Sequence, residues 1–332
     1  MVADNDPEPL PTAWPTAWPT AWPTAWPTAW VVGASGLLGS AVRRRLECQG
    51  RDVRTSRVSW TEHDAAVETL LADAQGLPDG GWQLWWCAGA GVVGTSQEQL
   101  DTELAVLDDF LQRWRPLPDG GQRGFFFASS AGGVYAGAAA PPFTESTEPV
   151  AISPYGLAKL EAEAVVSAFA ARTGVPLLVG RLSNLYGPGQ DITKPQGLIS
   201  QLCRAQLTRR PLSIYVSLDT LRDYLFVDDA ASMVVAGLDA VTARGGSHLK
   251  VIASERSTTI GAVLGDLHRI TRRRPPVVLG ISENARYQVR DLRVRSQAWP
   301  PISAYARTPL MAGVAATLAS VGDQMRTARP LR

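Results

Sequence analysis

The chain has 332 residues, 45% of them apolar, room for one large domain or two smaller ones around a buried core. A formal net charge of +1 argues against a nucleic-acid partner, and no apolar run is long enough to cross a membrane. Cys48, Cys87, Cys203 and the three histidines are too scattered for a disulfide framework or a metal site, so no metal and a reducing cytoplasm are expected.

Residues 1–26 read as a separate, disordered tail. Pro11-Thr12-Ala13-Trp14 repeats five times, ending at Trp30. Proline at every fourth position forbids a regular helix and leaves an extended, polyproline-like chain. The stretch has no charged start and no continuous apolar centre, so it is not a signal peptide. It is either a docking segment or a tandem expansion without function.

The last repeat runs into an apolar strand, Ala29 to Val32. Glycines follow at 33, 36 and 39, then a helical pattern with Leu37, Leu38, Ala41, Val42 and Leu46 on one face. Strand, glycine turn and helix aim free backbone N–H groups and a positive helix end at a diphosphate. A glycine-rich turn without a ligand is the alternative.

Strand and helix signals then alternate. A strand is expected near 52–56, where Val53-Arg54-Thr55-Ser56-Arg57-Val58 alternates but carries two arginines, odd for a buried central strand. A helix spans about 64–75, a strand 82–88, a helix 96–114, a strand 124–129, a helix 154–172 and a strand 175–181. This β–α order implies an α/β, Rossmann-type doubly wound parallel sheet over residues 27–185, with ligands at the carboxyl ends of its strands. Beyond 185, Pro188, Pro195 and Pro211 punctuate a less regular pattern. Helices are expected at 197–207, 227–240, 259–271 and 309–328, and strands at 212–216, 249–253 and 276–279. These pieces make a smaller C-terminal substrate lobe, mainly 186–332, with some later segments returning to the sheet.

Tyr155 and Lys159 lie four apart near the start of the 154–172 helix, so they share a face. A free tyrosine has a pKa of about 10. An ammonium one turn away stabilises the phenolate and brings the phenol toward working range as an acid/base. Ser129 and Ser130 end a strand that should lie beside this helix.

These motifs resemble a known family. The chain looks like an extended short-chain dehydrogenase/reductase of the sugar-nucleotide epimerase/dehydratase group. The resemblance rests on Gly-Ala-Ser-Gly-Leu-Leu-Gly at 33–39, Ser-Ser-Ala-Gly-Gly-Val-Tyr at 129–135 and Ser-Pro-Tyr-Gly-Leu-Ala-Lys at 153–159. Arg-Leu-Ser-Asn-Leu-Tyr-Gly-Pro-Gly at 181–189 and Leu-Arg-Asp-Tyr-Leu-Phe-Val-Asp-Asp at 221–229 complete it. It implies a bound NAD or NADP and a nucleotide-sugar substrate. Gly33, Ser35, Gly36, Leu37, Leu38, Gly39 and Ala88 would hold the dinucleotide with Tyr155 and Lys159. Tyr155 would exchange a proton with a sugar hydroxyl, usually at C4, while hydride moves to or from the nicotinamide. Lys159 would lower the tyrosine pKa and hold the nicotinamide ribose. Ser130 would hydrogen-bond the reacting oxygen, and Ser129, Asn184 and Arg222 would meet substrate. Arg222 matches the arginine that grips the substrate diphosphate, a task suited to its two-pronged guanidinium. A salt bridge to Asp223, Asp228 or Asp229 is the alternative. Family members are often dimers through the helix carrying Tyr155 and the one before it, so a homodimer is expected.

The chain departs from the family pattern in three places. Counting back from Val134-Tyr135, the catalytic serine or threonine falls on Ala131; counting back from Tyr155, it falls on Ser130. The Asp-Glu pair of 4,6-dehydratases is Gly132-Gly133 here, which argues against dehydration, and Gly189 stands after Pro188 where GDP-fucose synthases carry a histidine. At the end of the second strand, where NAD-preferring members have an acid, this chain has Arg57, which favours NADP. The expected activity is UDP-glucose 4-epimerase-like, with an NADPH-dependent keto-sugar-nucleotide reductase as its rival. A non-catalytic dinucleotide sensor or scaffold is the reading of another class.

Overall fold

The structure, a computed structural model, describes residues 26–89, 91, 95–116, 121–194, 196–281 and 287–327. All of the expected tail except Trp26 lies outside the described residues.

The first half alternates strand and helix: β1 (Thr28–Val32), α1 (Leu37–Cys48), β2 (Val53–Thr55), α2 (His63–Gln75), β3 (Gly81–Trp86), α3 (Gln97–Arg113), β4 (Gln122–Ser130), the short α4 (Ala131–Val134), α5 (Pro154–Thr173) and β5 (Leu177–Leu182). The second half carries β6 (Asn184–Tyr186), α6 (Leu198–Thr208), β7 (Leu212–Ile214), β8 (Leu221–Phe226), α7 (Val227–Arg244) and β9 (Ser247–Ile252). It ends with β10 (Ser257–Thr259), α8 (Ile260–Thr271), β11 (Val277–Leu279), β12 (Asp291–Leu292), α9 (Pro300–Ser303) and α10 (Leu310–Thr327).

Six parallel strands form the central sheet in the order β2-β1-β3-β4-β5-β9, a Rossmann-type α/β fold. Both faces are covered, so its strands read as continuous apolar runs rather than alternating ones. Val31, Trp85, Phe126 and Leu178 point to the face that carries α1 and α7. Trp30, Leu84, Trp86, Phe125 and Phe127 point to the face that carries α2, α3 and α5. There Trp30 meets Phe110 and Trp114 edge-on, at centroid distances of 5.9 and 5.8 Å. Chain order reverses at β1, with β2 on one side and β3 on the other, so a crevice opens at the carboxyl ends of β1 and β3.

β2 is the edge of this sheet, where Arg54 and Thr55 are exposed. Position at an edge, not at the centre, accommodates the arginines. A second polar interruption is buried. Arg51 sits under the indole of Trp26, 3.7 Å from its centroid, and grips Asp239 of α7 with two bonds of 2.9 and 2.5 Å. Gln83 of β3 joins them, donating to Asp239 at 3.1 Å. Removing one charge from a buried pair strands the other. Asp239→Asn therefore lowers unfolding free energy by about 3 kcal/mol, read as a shifted denaturant midpoint.

The remaining strands form smaller sheets. β8 pairs with β10, β12 and β6, and β7 pairs with β11. Helices α6, α8 and α10 pack around Ile199, Leu202, Val263 and Val314. Two later segments return to the central sheet. β9 pairs with β5, and α7 packs on α1 and on the sheet, which buries it nearly all round. The sequence pattern showed no strand at β6 or β8. β8 carries Arg222 and Asp223 inward, so charge hides its apolar character. No helix among the described residues is long and apolar enough to cross a membrane.

Candidate active site

The glycine turn is built so that side chains cannot replace its hydrogens. Gly33 has φ +86°, and a Cβ there would stand 2.5 Å from the backbone nitrogen of Ala88. A Cβ on Gly39 would stand 2.1 Å from the carbonyl oxygen of Gly33. The turn thus locks β1, α1 and the end of β3 into backbone contact. Gly36 caps α1 with no side-chain hydrogen bond, and the first turn of α1 holds no acid. Ser35 and Gly36 are exposed. The first N–H groups of α1, at Leu37 and Leu38, have no partner within the helix, and the dipole there is positive. Close backbone packing and an uncapped helix start fit a dinucleotide diphosphate.

Ala88, which abuts Gly33, also lines a cleft with Tyr155, Lys159, Phe127, Trp86 and Glu103. Lys159 donates to the carbonyl oxygen of Ala128 at 3.2 Å. Its ammonium lies 5.9 Å from the centre of the Tyr155 ring and 5.3 Å from that of Phe127. The Tyr155 ring is held between two glycines. A Cβ on Gly91 or on Gly133 would come within 3.1 Å of ring carbons. The Tyr155 hydroxyl has no hydrogen-bond partner among the described residues. Sequence reasoning therefore placed Tyr155, Lys159 and Ala88 in one cleft. It missed Glu103. A Cβ on Gly89 would meet Lys159 Nζ at 3.3 Å and Glu103 Oε2 at 3.9 Å, so carboxylate and ammonium face the same point. The signal was legible: Leu100, Glu103, Leu104 and Leu107 follow helical spacing, and Glu103 is the one acid in that stripe.

The two serines at the end of β4 part company. Ser130 caps α4 by accepting from Gly133 N at 3.1 Å, and Gly133 is the residue against Tyr155. Ala131 is 1% exposed and packs into a separate cluster with Val134 and Leu292. Ser129 is not a substrate-facing group. Strand alternation turns it inward, it is 4% exposed, and its hydroxyl donates to Glu163. Glu163 pairs in turn with Arg181 at 2.7 Å, and Arg181 donates to the Tyr135 hydroxyl at 2.8 Å. This network staples β4, β5 and α5 together beneath the cleft.

Asn184 uses its amide nitrogen to donate to the Asp223 carbonyl at 3.0 Å, which ties β6 to β8 and leaves its own carbonyl oxygen for a ligand. Arg222 is 6% exposed and donates to the Leu221 carbonyl and to Gln288. The expected alternative, an ion pair, does not form. Asp223 accepts from Ser254 and Arg256, Asp228 pairs with Arg44, and Asp229 accepts from Thr308. The hydrogen-bond partners of Arg222 among the described residues are neutral; desolvation lowers its pKa, the nearby Asp291 offsets this only in part, and a bound anion would relieve the cost. Arg222 stands opposite Leu292, the nearest side chain to Gly132. Arg57 is exposed two residues beyond β2 and makes no ion pair among the described residues. No cluster of metal-ligating side chains occurs among the described residues.

Comparison with known proteins follows the same lines. The model of the NAD dependent epimerase/dehydratase family matches residues 29–252. A dTDP-L-rhamnose 4-epimerase of Burkholderia thailandensis is 35% identical over 99 residues, 30% of this chain and 27% of that protein. A dTDP-glucose 4,6-dehydratase of Neisseria gonorrhoeae is 30% identical over 186 residues, 53% of each chain. The chain thus spans about half or less of the length of these curated relatives. Among solved structures, MoeE5 in complex with UDP-glucose and NAD superposes with a TM-score of 0.72 at 26% identity, covering 90% of this chain and 99% of that one.

Proposed function

The chain belongs to the NAD-dependent epimerase/dehydratase family, and from that premise we propose that it transfers hydride at a sugar carbon, C4, of a nucleotide-activated sugar. The observation that carries this reading is the contact of Ala88 with both halves of the site. Its backbone meets Gly33 of the diphosphate turn, and it lines the cleft of Tyr155 and Lys159. When bound, the dinucleotide supplies a nicotinamide that accepts and returns hydride. Tyr155 takes the proton of the sugar hydroxyl as the carbinol hydrogen leaves as hydride, and a ketone forms. Lys159 stabilises the phenolate so produced. Ser130 donates to the reacting oxygen, and Asn184 and Arg222 hold the substrate, with Arg222 on its diphosphate. With the ketone held so that its other face met the returning hydride, the product would be the epimer, the outcome of a UDP-glucose 4-epimerase-like activity.

Relatives of this chain include a 4,6-dehydratase, but loss of water from the sugar needs an acid and a base at the leaving group. Gly132 and Gly133 carry neither, so the proposed reaction retains every hydroxyl.

Arg57 favours a second reading, an NADPH-dependent reductase of a keto-sugar nucleotide. An exposed guanidinium at the end of β2 suits a ribose 2′-phosphate. Arg57→Ala is expected to weaken NADPH binding roughly tenfold and leave NADH binding unchanged, as read by nicotinamide fluorescence. Equal loss for both dinucleotides would remove Arg57 from the cofactor site. Incubation with a nucleotide sugar separates the two activities. An epimerase leaves total NAD(P)H constant, whereas a reductase consumes NADPH in step with a 4-keto sugar.

A further inference from the structure

At the amino end of the central sheet, opposite the cleft, lies a second cavity of about 370 Å³. Leu77, Pro78, Trp82, Trp114, Arg115 and Pro116 line it. The Trp82 and Trp114 rings lie 4.8 Å apart. Arg115 is exposed, and among the described residues its guanidinium donates only to backbone carbonyls of Gln112 and Trp114. Nothing in the proposed chemistry uses this groove.

The amino-terminal repeats enter the fold at its side. Thr28, the third residue of the region described from Trp26 onward, pairs in register with Trp82 across β1 and β3. Two of the five repeat tryptophans have described positions, and both are in use. Trp30 is core, and Trp26 lies flat over the Arg51 guanidinium at 3.7 Å. That contact shows what a repeat tryptophan does beside this sheet: it stacks on an arginine. Across the amino end of the sheet, on its opposite face, the groove offers another guanidinium, Arg115, beside prolines and two buried indoles. Grooves lined by aromatic side chains take extended proline-rich segments, because such segments lose little conformational freedom on docking.

We propose that this groove is the docking site for residues 11–25 of the same chain, with Trp22 seated against Arg115. The match is one of composition and of reach. Proline and tryptophan each recur every fourth residue over 11–25, as in the described copy at Pro27–Trp30 that enters β1. Four residues of extended chain, the gap from Trp26 back to Trp22, cover roughly 12 Å. The groove begins one strand away from Thr28, a spacing of about 5 Å. The tail thereby covers Arg115 and the half-buried Pro78 and Pro116 at the amino end of the sheet, remote from the cofactor turn.

Photocrosslinking on the full-length protein tests this directly. Benzoylphenylalanine is placed at Gln75, an exposed residue on the groove rim, and adducts are mapped by mass spectrometry. The expected adducts lie within residues 11–25 of the same chain, at a yield independent of protein concentration. Arg115→Glu lowers that yield roughly tenfold by removing the cation under the indole, without changing the melting temperature. Trp22→Ala lowers it likewise. Adducts that join two chains, with a yield that rises with concentration, would overturn docking within one chain. So would a yield no higher than from the same probe at exposed Leu207, on α6 of the other lobe.

Discussion

Tyr155→Phe lowers turnover by roughly 10²–10⁴-fold and leaves dinucleotide affinity and thermal stability unchanged. The magnitude follows from the proposed role, in which the phenol takes the proton while hydride leaves. Ser130, which accepts from Gly133 and keeps its own proton to donate, steadies the reacting oxygen without taking its proton, and Ser129 is engaged by Glu163. The separation of turnover from stability follows from packing. The ring is fixed by contact with Gly91 and Gly133, and phenylalanine fills the same slot. The hydroxyl makes no hydrogen bond among the described residues, so its removal leaves no buried group unpaired. Steady-state kinetics with a nucleotide sugar, paired with a fluorescence titration of NAD(P)H, checks both halves. Full activity in Tyr155→Phe would leave the protein a dinucleotide binder without catalysis at this residue.

The second large effect belongs to Gly39→Ala. The new methyl would stand 2.1 Å from the Gly33 carbonyl oxygen, a backbone atom with no side chain to swing aside. Either α1 moves away from β1 or the turn opens, and both withdraw the N–H groups of Leu37 and Leu38 from the diphosphate. Losing even two charge-assisted hydrogen bonds costs about 3 kcal/mol, so affinity for either dinucleotide falls at least about 100-fold. Gly50→Ala is the control. Gly50 has φ +72° with open space around it, so alanine there costs about 1 kcal/mol of stability and no affinity. If Gly39→Ala binds NAD(P)H as the wild type does, the dinucleotide does not sit on this turn.

What could be read in advance followed from local physics. Gly33 and Gly39 were legible because backbone contact between strand and helix tolerates no Cβ, and the need for glycine is written into the chain. Tyr155 and Lys159 were legible because helical periodicity fixes which residues share a face. The aromatic strands Trp82–Trp86 and Phe125–Phe127 were legible as buried runs because both sheet faces are covered. The rest depended on contacts distant in sequence. Ser129 was assigned to substrate from its neighbourhood with Ser130, yet one residue of strand alternation sends it to Glu163 and Arg181. Which later segments return to the sheet was not legible, because the pairing of β9 with β5 crosses more than sixty residues of chain. The asymmetry of Arg222 was invisible. Three aspartates close in sequence are all engaged elsewhere, by Ser254, Arg44 and Thr308.

The most direct measurement is a difference spectrum of the dinucleotide-loaded protein on addition of UDP-glucose, UDP-glucuronic acid, UDP-N-acetylglucosamine and dTDP-glucose in turn. Hydride transfer at a sugar carbon predicts that at least one of them raises the near-ultraviolet band of reduced nicotinamide, and that Tyr155→Phe abolishes the rise. Bound dinucleotide with no change for any of the four, and no oxidation of bound NADPH by their 4-keto forms, would contradict hydride transfer to nucleotide sugars at this site.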